Sequence, residues 1–365
     1  MPELQELGLG AADPRRGERI ARMSMDAWVI PLAFVVSAGL TEAAIRYAHA
    51  RRMLDEPGRR RSHTQVTPRG GGVGIVAAAL IVLWLALPLR IQALQAMTAL
   101  VLVAGIGWWD DHRSLRALWR LLVHILAALV FVAPPTLALF HFMDGTAARL
   151  FAVMLGATML LSVVWSINLH NFLDGINGLL AWQAFWTFAA IGALDHMYFN
   201  AGLGWLPFAL AAACVAFIPF NFPQARVFMG DVGSGAIGFL IVATIWLAAM
   251  SRGPRWLAVG LIVASAAIID TTATLLLRML AGRRWYSAHR EHLYQWLVRS
   301  GRSHARVVGY YMAWNLFIAA PASVFVSRMH RYDAAIGVTV LVYTLGFVVW
   351  TRTRSAVLRG VRARD

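Results

Sequence analysis

The chain has 365 residues, 59% apolar and 14% charged, with a mean hydropathy of +0.62 and a formal net charge of +15. Those proportions exclude a soluble globular domain and describe an integral membrane protein. A lone cysteine, Cys214, excludes an intrachain disulfide framework and a cysteine-based metal centre.

Residues 1–22 carry four arginines and four acids and lack the apolar core of a signal peptide, so translation is expected to begin at Met23 or Met25. Apolar runs of about 17 to 23 residues, enough to cross a ~30 Å hydrocarbon core, follow at 26–48, 70–89, 91–109, 117–133 and 147–167. Further runs lie at 178–194, 203–219, 232–250, 256–279, 307–328 and 333–351. The predicted fold class is all-α, a polytopic helical bundle of about eleven transmembrane helices whose backbone polar groups are satisfied within the helices. Residues 1–25 read as an N-terminal extension, 26–352 as a single transmembrane domain and 353–365 as a basic cytoplasmic tail.

Every basic residue apart from histidine is arginine, and the arginines set the orientation. One set of alternate loops, comprising 46–69, 113–120, Arg226, 278–306 and the tail from Arg352, holds 23 of them. The opposite set holds six: Arg90, Arg149, Arg252, Arg255, Arg328 and Arg331. The rich side is expected to be cytoplasmic, with the C-terminus inside and the N-terminus outside. Because these arginines lie at membrane edges and not along a recognition helix, the expected partner is anionic membrane lipid, with no nucleic acid.

Only seven acids occur between Pro57 and Arg290, and four of them, Asp110, Asp111, Asp174 and Asp231, border predicted spans on the arginine-rich face. Exposed loop acids are commonly just solvated. A paired Asp110-Asp111, however, brings two negative charges together, which a cation or shared proton relieves. Magnesium accepts carboxylate, amide oxygen and substrate phosphate together, so the cluster points to a divalent cation and a phosphorylated substrate. Asn168 and Asn171 beside the Asp174 turn read as amide-oxygen ligands, hydroxyl contacts or helix N-caps. Gly175 and Gly178 flank Asn177, and Gly230, Gly233 and Gly235 surround Asp231; they permit close backbone approach or positive φ, or serve helix packing. The Pro68-Arg69-Gly70-Gly71-Gly72 run reads either as a phosphate-facing loop or as the close-packed start of a span.

The last inner loop contains Ser287-Ala-His289-Arg290-Glu291-His292-Leu-Tyr294-Gln295. His289, Arg290 and His292 are able to grip a diphosphate through charge-assisted hydrogen bonds. Zinc is disfavoured, since neither cysteine nor a third ligand accompanies the histidines. The alternative is an amphipathic surface helix anchored by Trp285 and Trp296. Asp270 sits inside the 256–279 run, where a charge is costly, so it either lines a polar cavity or holds helices together. Glu42 and Arg46 form an i,i+4 pair.

In order and spacing these segments resemble the polyprenyl-phosphate N-acetylhexosamine-1-phosphate transferases, the glycosyltransferase family 4 enzymes that include phospho-N-acetylmuramoyl-pentapeptide transferase. The resemblance rests on Pro68-Arg-Gly-Gly-Gly, Asp110-Asp-His-Arg-Ser, Asn168-Leu-His-Asn-Phe-Leu-Asp174-Gly-Ile-Asn177-Gly-Leu, Val227-Phe-Met-Gly-Asp231-Val-Gly-Ser and the His289–Gln295 loop. It implies transfer of a sugar 1-phosphate from a UDP-N-acetylhexosamine to undecaprenyl phosphate, releasing UMP, on the cytoplasmic face of the bacterial inner membrane. Magnesium is the implied cofactor, with manganese as a substitute. Asp231 and Asn171 would hold the metal. Asp110 would contact or deprotonate the acceptor phosphate beside Asp111, and Asp174 and Asn168 would shape the nucleotide and metal site. His289, Arg290 and His292 would hold the donor diphosphate, with Arg69, Asn177 and Asn221 among the substrate-binding residues. The Asp-Asp-His-Arg-Ser and His-Arg-Glu-His forms are similar to the branch initiating O-antigen or related surface polysaccharides, the peptidoglycan-type transferase being the alternative. One departure is Asn177, where many members carry aspartate. The resemblance leaves an oligomer open.

A transporter of anionic or lipid-linked solutes is the competing class. Transporters place polar groups and broken helices near the bilayer midplane, often in two related halves. Here the polar groups gather at one surface and no internal repeat is visible.

Overall fold

A computed structural model describes residues 27–55, 66–87, 90–198, 204–283, 289–329 and 331–362. The extension 1–25, the arginines at 59–61, Trp285 and Ser287 lie outside the described residues. The chain is a helical membrane bundle with one two-stranded ribbon. In order come α1 (Val29–Arg51), β1 (Leu54–Asp55), β2 (Thr67–Pro68), α2 (Val73–Ala86), α3 (Arg90–His112), α4 (Ala117–Phe142) and α5 (Thr146–Leu173). Then follow α6 (Leu179–Tyr198), α7 (Leu206–Asn221), α8 (Asp231–Arg252), α9 (Arg255–Val263), α10 (Ser265–Leu280) and the short α11 (Leu293–Arg299). A π-helical turn, Asn315–Ala319, joins α12 (His304–Trp314) to α13 (Ala320–Arg328), and α14 (Tyr332–Arg362) ends the described chain.

Each predicted span coincides with a helix or a joined pair. By length and composition alone, seven elements suffice to cross a bilayer: α1, α3, α4, α5, α8, the α12–α13 unit and α14. An eighth is the α9–α10 pair, which bends by 77°. The predicted 256–279 span is therefore broken near Ala264. Two more, α2 and α7, have 14 and 16 residues, about 21 and 24 Å long and short of the ~30 Å core. Helix α6 has 20 residues but carries Gln183, Asp195 and His196. Helix α4 continues nine residues beyond its predicted end at 133, through Pro134 and Pro135. Pro134 and Pro135 free the Val130 and Phe131 carbonyls, and the Thr136 hydroxyl donates to the next one, Val132, at 2.8 Å. Helix α14 passes 352 without interruption.

At the centre stands α8, almost wholly buried and packed against α3, α5, α2, α6 and α9. Its glycines permit that crowding. A Cβ on Gly72 would lie 2.4 Å from Gly233 Cα, and one on Gly238 2.5 Å from the Ser166 carbonyl oxygen. Small residues let helix backbones touch where lipid supplies no hydrophobic drive to association. On the side away from the four aspartates, Arg252 and the buried Asp195 pair at 2.8 Å. Cys214 is buried in α7.

Candidate active site

The four aspartates converge on the N-terminus of α8. Asp110 and Asp111 end α3, Asp174 follows the last turn of α5, and Asp231 opens α8. Asp111 accepts hydrogen bonds from the Asp231 and Val232 backbone N–H groups at 3.0 and 3.1 Å. Its carboxylate thus caps two otherwise orphaned helix donors and meets the positive end of the helix dipole. Close approach requires Gly230, whose φ is +77° and whose Cβ, if present, would lie 2.4 Å from Asp111 Oδ2. On the other flank Arg120, from α4, donates through Nη1 to Asp110 Oδ2 at 2.9 Å and to Asp231 Oδ2 at 2.7 Å. The Leu115 N–H donates to Asp110 Oδ1. One guanidinium therefore ties α3 to α8 and offsets two carboxylates.

The Pro68–Gly72 run serves both of its readings, divided by residue. The Phe228 N–H donates to the Pro68 carbonyl at 2.8 Å, and Gly71 and Gly72 N–H groups donate to the Phe228 and Met229 carbonyls at 3.0 and 2.9 Å. Gly71 and Gly72 are packing residues, since a Cβ on either would overlap the 217–233 region. Arg69 points into a cavity, 3.5 Å from Asp55 Oδ1.

That cavity has a volume of about 330 Å3 and a mostly polar wall. Of the expected site residues, Asp111, Asp174, Asp231, Asn177, Asn221, Arg69 and Arg290 border it. Asn221 anchors the wall: its Oδ1 accepts from the Gly178 N–H at 2.7 Å and its Nδ2 donates to the Val227 carbonyl at 2.9 Å. Asn177 Nδ2 donates to the Pro223 carbonyl at 3.1 Å. The other five sit behind the wall. Asp110 is joined through Arg120. Asn171 Oδ1 accepts from the Ser234 hydroxyl at 2.7 Å, and Asn168 Nδ2 donates to the Val164 carbonyl at 2.8 Å. Both asparagines lie within α5, so neither caps the following helix. His289 and His292 pack on Phe172, with ring centroids 6.2 and 6.0 Å from it and 4.8 Å from each other.

Electrostatics separates these groups. Burial pushes the Asp174 carboxyl up to about 7, aided by the Asp111 charge and opposed by Arg69. Burial lowers His289 to about 4, with His292 and Arg278 adding repulsion, so its imidazole is neutral at pH 7. Burial also lowers His292. Both ring nitrogens of His289 are buried without a hydrogen-bond partner among the described residues. Of the His289–His292 segment, Arg290 is the group that brings positive charge to the cavity.

Sequence reasoning passed over several residues. Gln295 and His304 line the cavity, and the Asn177 N–H donates to His304 Nδ1 at 3.3 Å. Tyr294 fills the space a Gly175 side chain would need and donates its hydroxyl to the Phe172 carbonyl at 2.8 Å. Asp270 is the hub of the loop. Its Oδ1 accepts from the Leu293 N–H at 2.7 Å and Trp350 Nε1 at 2.9 Å, and its Oδ2 from the Tyr311 hydroxyl at 2.6 Å and the Tyr294 N–H at 3.4 Å. Of its two readings, the carboxylate holds helices together and caps α11. Tyr294 and Gln295 carried a sequence signal, their place in the His289 loop, and Asp270 its charge inside an apolar run; His304 acquires its neighbours through long-range packing.

Among the described residues no three or more histidine, cysteine, aspartate and glutamate side chains form a ready metal cage. Magnesium does not require one, because it is held by one or two carboxylates, with water and substrate phosphate completing the shell. Three carboxylates on one small polar cavity, one of them pushed up by burial and its neighbour's charge, are a donor set that fits such an ion.

Residues 91–249, which carry all four aspartates, match the family model described as glycosyl transferase family 4. The decaprenyl-phosphate N-acetylglucosaminephosphotransferase of Mycobacterium tuberculosis is 30% identical over 357 residues, covering 86% of this chain and 88% of its own. A probable undecaprenyl-phosphate N-acetylglucosaminyl 1-phosphate transferase of Bacillus subtilis is 23% identical, covering 87% of this chain and 93% of its own. The phospho-N-acetylmuramoyl-pentapeptide-transferase of Levilactobacillus brevis is 27% identical, covering 70% and 85%. With the matched segment ending in the helix that gathers the aspartates, the chain belongs to glycosyl transferase family 4 and is a multi-pass membrane enzyme of the sugar-1-phosphate transferase type.

Proposed function

We propose that the enzyme transfers N-acetylhexosamine 1-phosphate from a UDP-linked donor to undecaprenyl phosphate, releasing UMP, at the cytoplasmic face of a bacterial inner membrane. The observation that carries this reading is the polar cavity on which Asp111, Asp174 and Asp231 meet Arg69 and Arg290. In the reaction an acceptor phosphate oxygen bonds to the sugar-bearing phosphorus, and the bond from that phosphorus to the UMP oxygen breaks. Two anionic phosphates repel until charge is compensated, so the protein's task is positioning and neutralisation. Arg69 and Arg290 supply cationic contacts to the donor diphosphate. The acceptor phosphate is largely ionised near neutral pH, so Asp110 orients it through Arg120. Magnesium held by Asp231, with Asp111 and Asp174 on the same cavity, would lower the repulsion between donor and acceptor; Asn171, expected as a ligand, and Asn168 are hydrogen-bonded behind the wall and support the site from there. His289 and His292 are neutral packing groups that seat Arg290. The relatives' names favour an N-acetylated aminosugar and a long polyprenyl phosphate. The Asp110-Asp-His-Arg and His289-Arg-Glu-His forms favour initiation of a surface polysaccharide of the O-antigen kind.

The broken α9–α10 helix is the one feature a transporter would share. Asp270, the acid nearest that break, is already engaged by four donors within 3.4 Å and offers no ion site. Membranes containing the enzyme, given undecaprenyl phosphate and a panel of UDP-N-acetylhexosamines, should release UMP with one or more donors only when magnesium is present. Asp231→Asn should nearly abolish release, and Asn177→Ala should only lower it. UMP release that survives chelation, or equal mild losses in the two variants, would sink the assignment.

A further inference from the structure

We propose that the crevice between α14 and the α11–α12 segment binds a resident phospholipid with an anionic headgroup. Two adjoining cavities run along α14. The deeper, about 390 Å3, is walled by Leu293 and Leu297 of α11, Trp314 of α12 and Trp350 of α14. Its neighbour, about 360 Å3, lies against Ser300, Val357 and Gly360. Arg302 and Thr353 border both. The deeper cavity opens beside Tyr310 and Val349, which are 47% and 44% exposed.

The chemistry of the crevice changes at the depth where a phospholipid changes. From Thr353 the deeper cavity reaches back along α14 to Gly346 and the outer one forward to Val361. At 1.5 Å per residue those distances are about 10 and 12 Å. The 31 residues of α14 are about 46 Å long, so its last turns, with Arg352, Arg354 and Arg359, extend past a ~30 Å hydrocarbon core. Leucine and tryptophan thus face acyl-chain depth, and Arg302 stands where the two cavities join; Asp270 also borders the deeper cavity, its carboxylate already engaged by four donors. The positive charge there is uncompensated. Arg278 and Arg283 both pair with Glu291, whereas Arg302 and Arg354 have no carboxylate partner among the described residues. Arg354 stacks over Trp350 at 5.6 Å, with its Nε buried and unpaired. A lipid phosphate where the two cavities join would meet Arg302, which has no carboxylate partner among the described residues.

The occupant is not the polyprenyl acceptor, because α11 stands between the two sites. Leu293 and Leu297 face the crevice, while Gln295 of the same helix and Arg290 before it face the aspartate cavity. The lipid therefore forms the rear wall of the loop that carries Arg290.

Native mass spectrometry of the full-length chain, offered equimolar phosphatidylglycerol and phosphatidylcholine in micelles, tests the proposal. Arg302, the arginine bordering both cavities, gives an expected preference for the anionic lipid of about fivefold, and Arg302→Gln removes it. Val349→Trp, which places an indole in the mouth, lowers retention of both lipids. Should Arg302→Gln fail to fold, Arg302→Met, which keeps the apolar stem, carries the same expectation. Equal retention of the two lipids by the wild-type chain, or an unchanged preference in the folded arginine variants, overturns the proposal. Displacement of phosphatidylglycerol by stoichiometric undecaprenyl phosphate overturns it as well.

Discussion

Replacing Asp270 tests whether the loop bearing Arg290 is held from behind by α14. The carboxylate is 1% exposed and accepts from Leu293 N–H, Tyr294 N–H, the Tyr311 hydroxyl and Trp350 Nε1, bringing α10, α11, α12 and α14 to one point. Alanine there orphans four buried donors at about 1–3 kcal/mol each taken singly; because they share one acceptor the losses do not add, and the whole is expected to cost about 3–5 kcal/mol. Asparagine keeps one acceptor oxygen and turns an N–H2 group toward the remaining donors, for an expected loss of about 2 kcal/mol. At about 1.4 kcal/mol per decade, that favours a displaced α11 by about 30-fold over its present balance. Because Tyr294 sits on Gly175, one residue from Asp174, and Gln295 lines the cavity, displacement should be felt by the donor. Thermal unfolding followed by tryptophan fluorescence, together with the donor KM from UMP release, measures both parts. Asp270→Asn should lower the unfolding midpoint and raise donor KM several-fold, and Asp270→Ala should do both more severely. Wild-type stability in both variants refutes the energetic reasoning; lowered stability with an unchanged KM refutes the coupling of α11 to the cavity.

Three further outcomes follow from the same geometry. Arg120→Gln leaves Asp110 and Asp231 facing each other without their shared cation. UMP release is expected to fall about tenfold or more, whereas Arg116→Gln, exposed just before the same helix, should stay within twofold of wild type. Gly230→Ala forces a Cβ to 2.4 Å from Asp111 Oδ2 at a φ of +77°, so activity and folded yield should drop, while Gly105→Ala, which meets nothing within 4 Å, should be neutral in both. Asp174 supplies a pH test. Its folded value of about 7 lies above the ordinary 3.8, so the metal-free fold holds a proton between these values and loses the associated stability as pH rises through about 7. A magnesium ion on the same cavity favours the ionised carboxylate, so the magnesium concentration for half-maximal activity should fall about fivefold from pH 6 to pH 7 and level off above pH 8. Asp174→Asn should flatten the dependence, and a flat profile in the wild-type enzyme would count against it.

Much of the fold was legible because the bilayer imposes a length and an apolar composition that any membrane helix must meet. The places where reading and structure differ have local causes. Proline at 134 and 135 reads as a stop, yet α4 continues to Phe142, as membrane helices tolerate proline where neighbouring groups re-satisfy the freed backbone. The break in the 256–279 run leaves no mark in hydropathy, since both limbs are apolar. Asp110, Asp111, Asp174 and Asp231 were visible as scarce acids at membrane edges, and the structure brings three of them onto one cavity and ties the fourth to Asp231 through Arg120. That arginine was hidden, because its partnership spans 111 residues. His289 and His292 read as cationic grips, a reading that assumes exposure; burial on Phe172 leaves His289 neutral.

The sequence by itself determined the membrane class, the expected arginine-defined orientation and the residue types of the site, because each follows from composition or from short segments whose spacing survives any packing. Tertiary structure alone decided which side chains share the cavity, which glycines serve packing, that Asp270 is a helix cap and not a ligand, and that α11 separates a polar cavity from an apolar crevice. Those outcomes depend on where helices meet, and the lateral contacts between apolar helices are set by small steric differences that no one-dimensional pattern records.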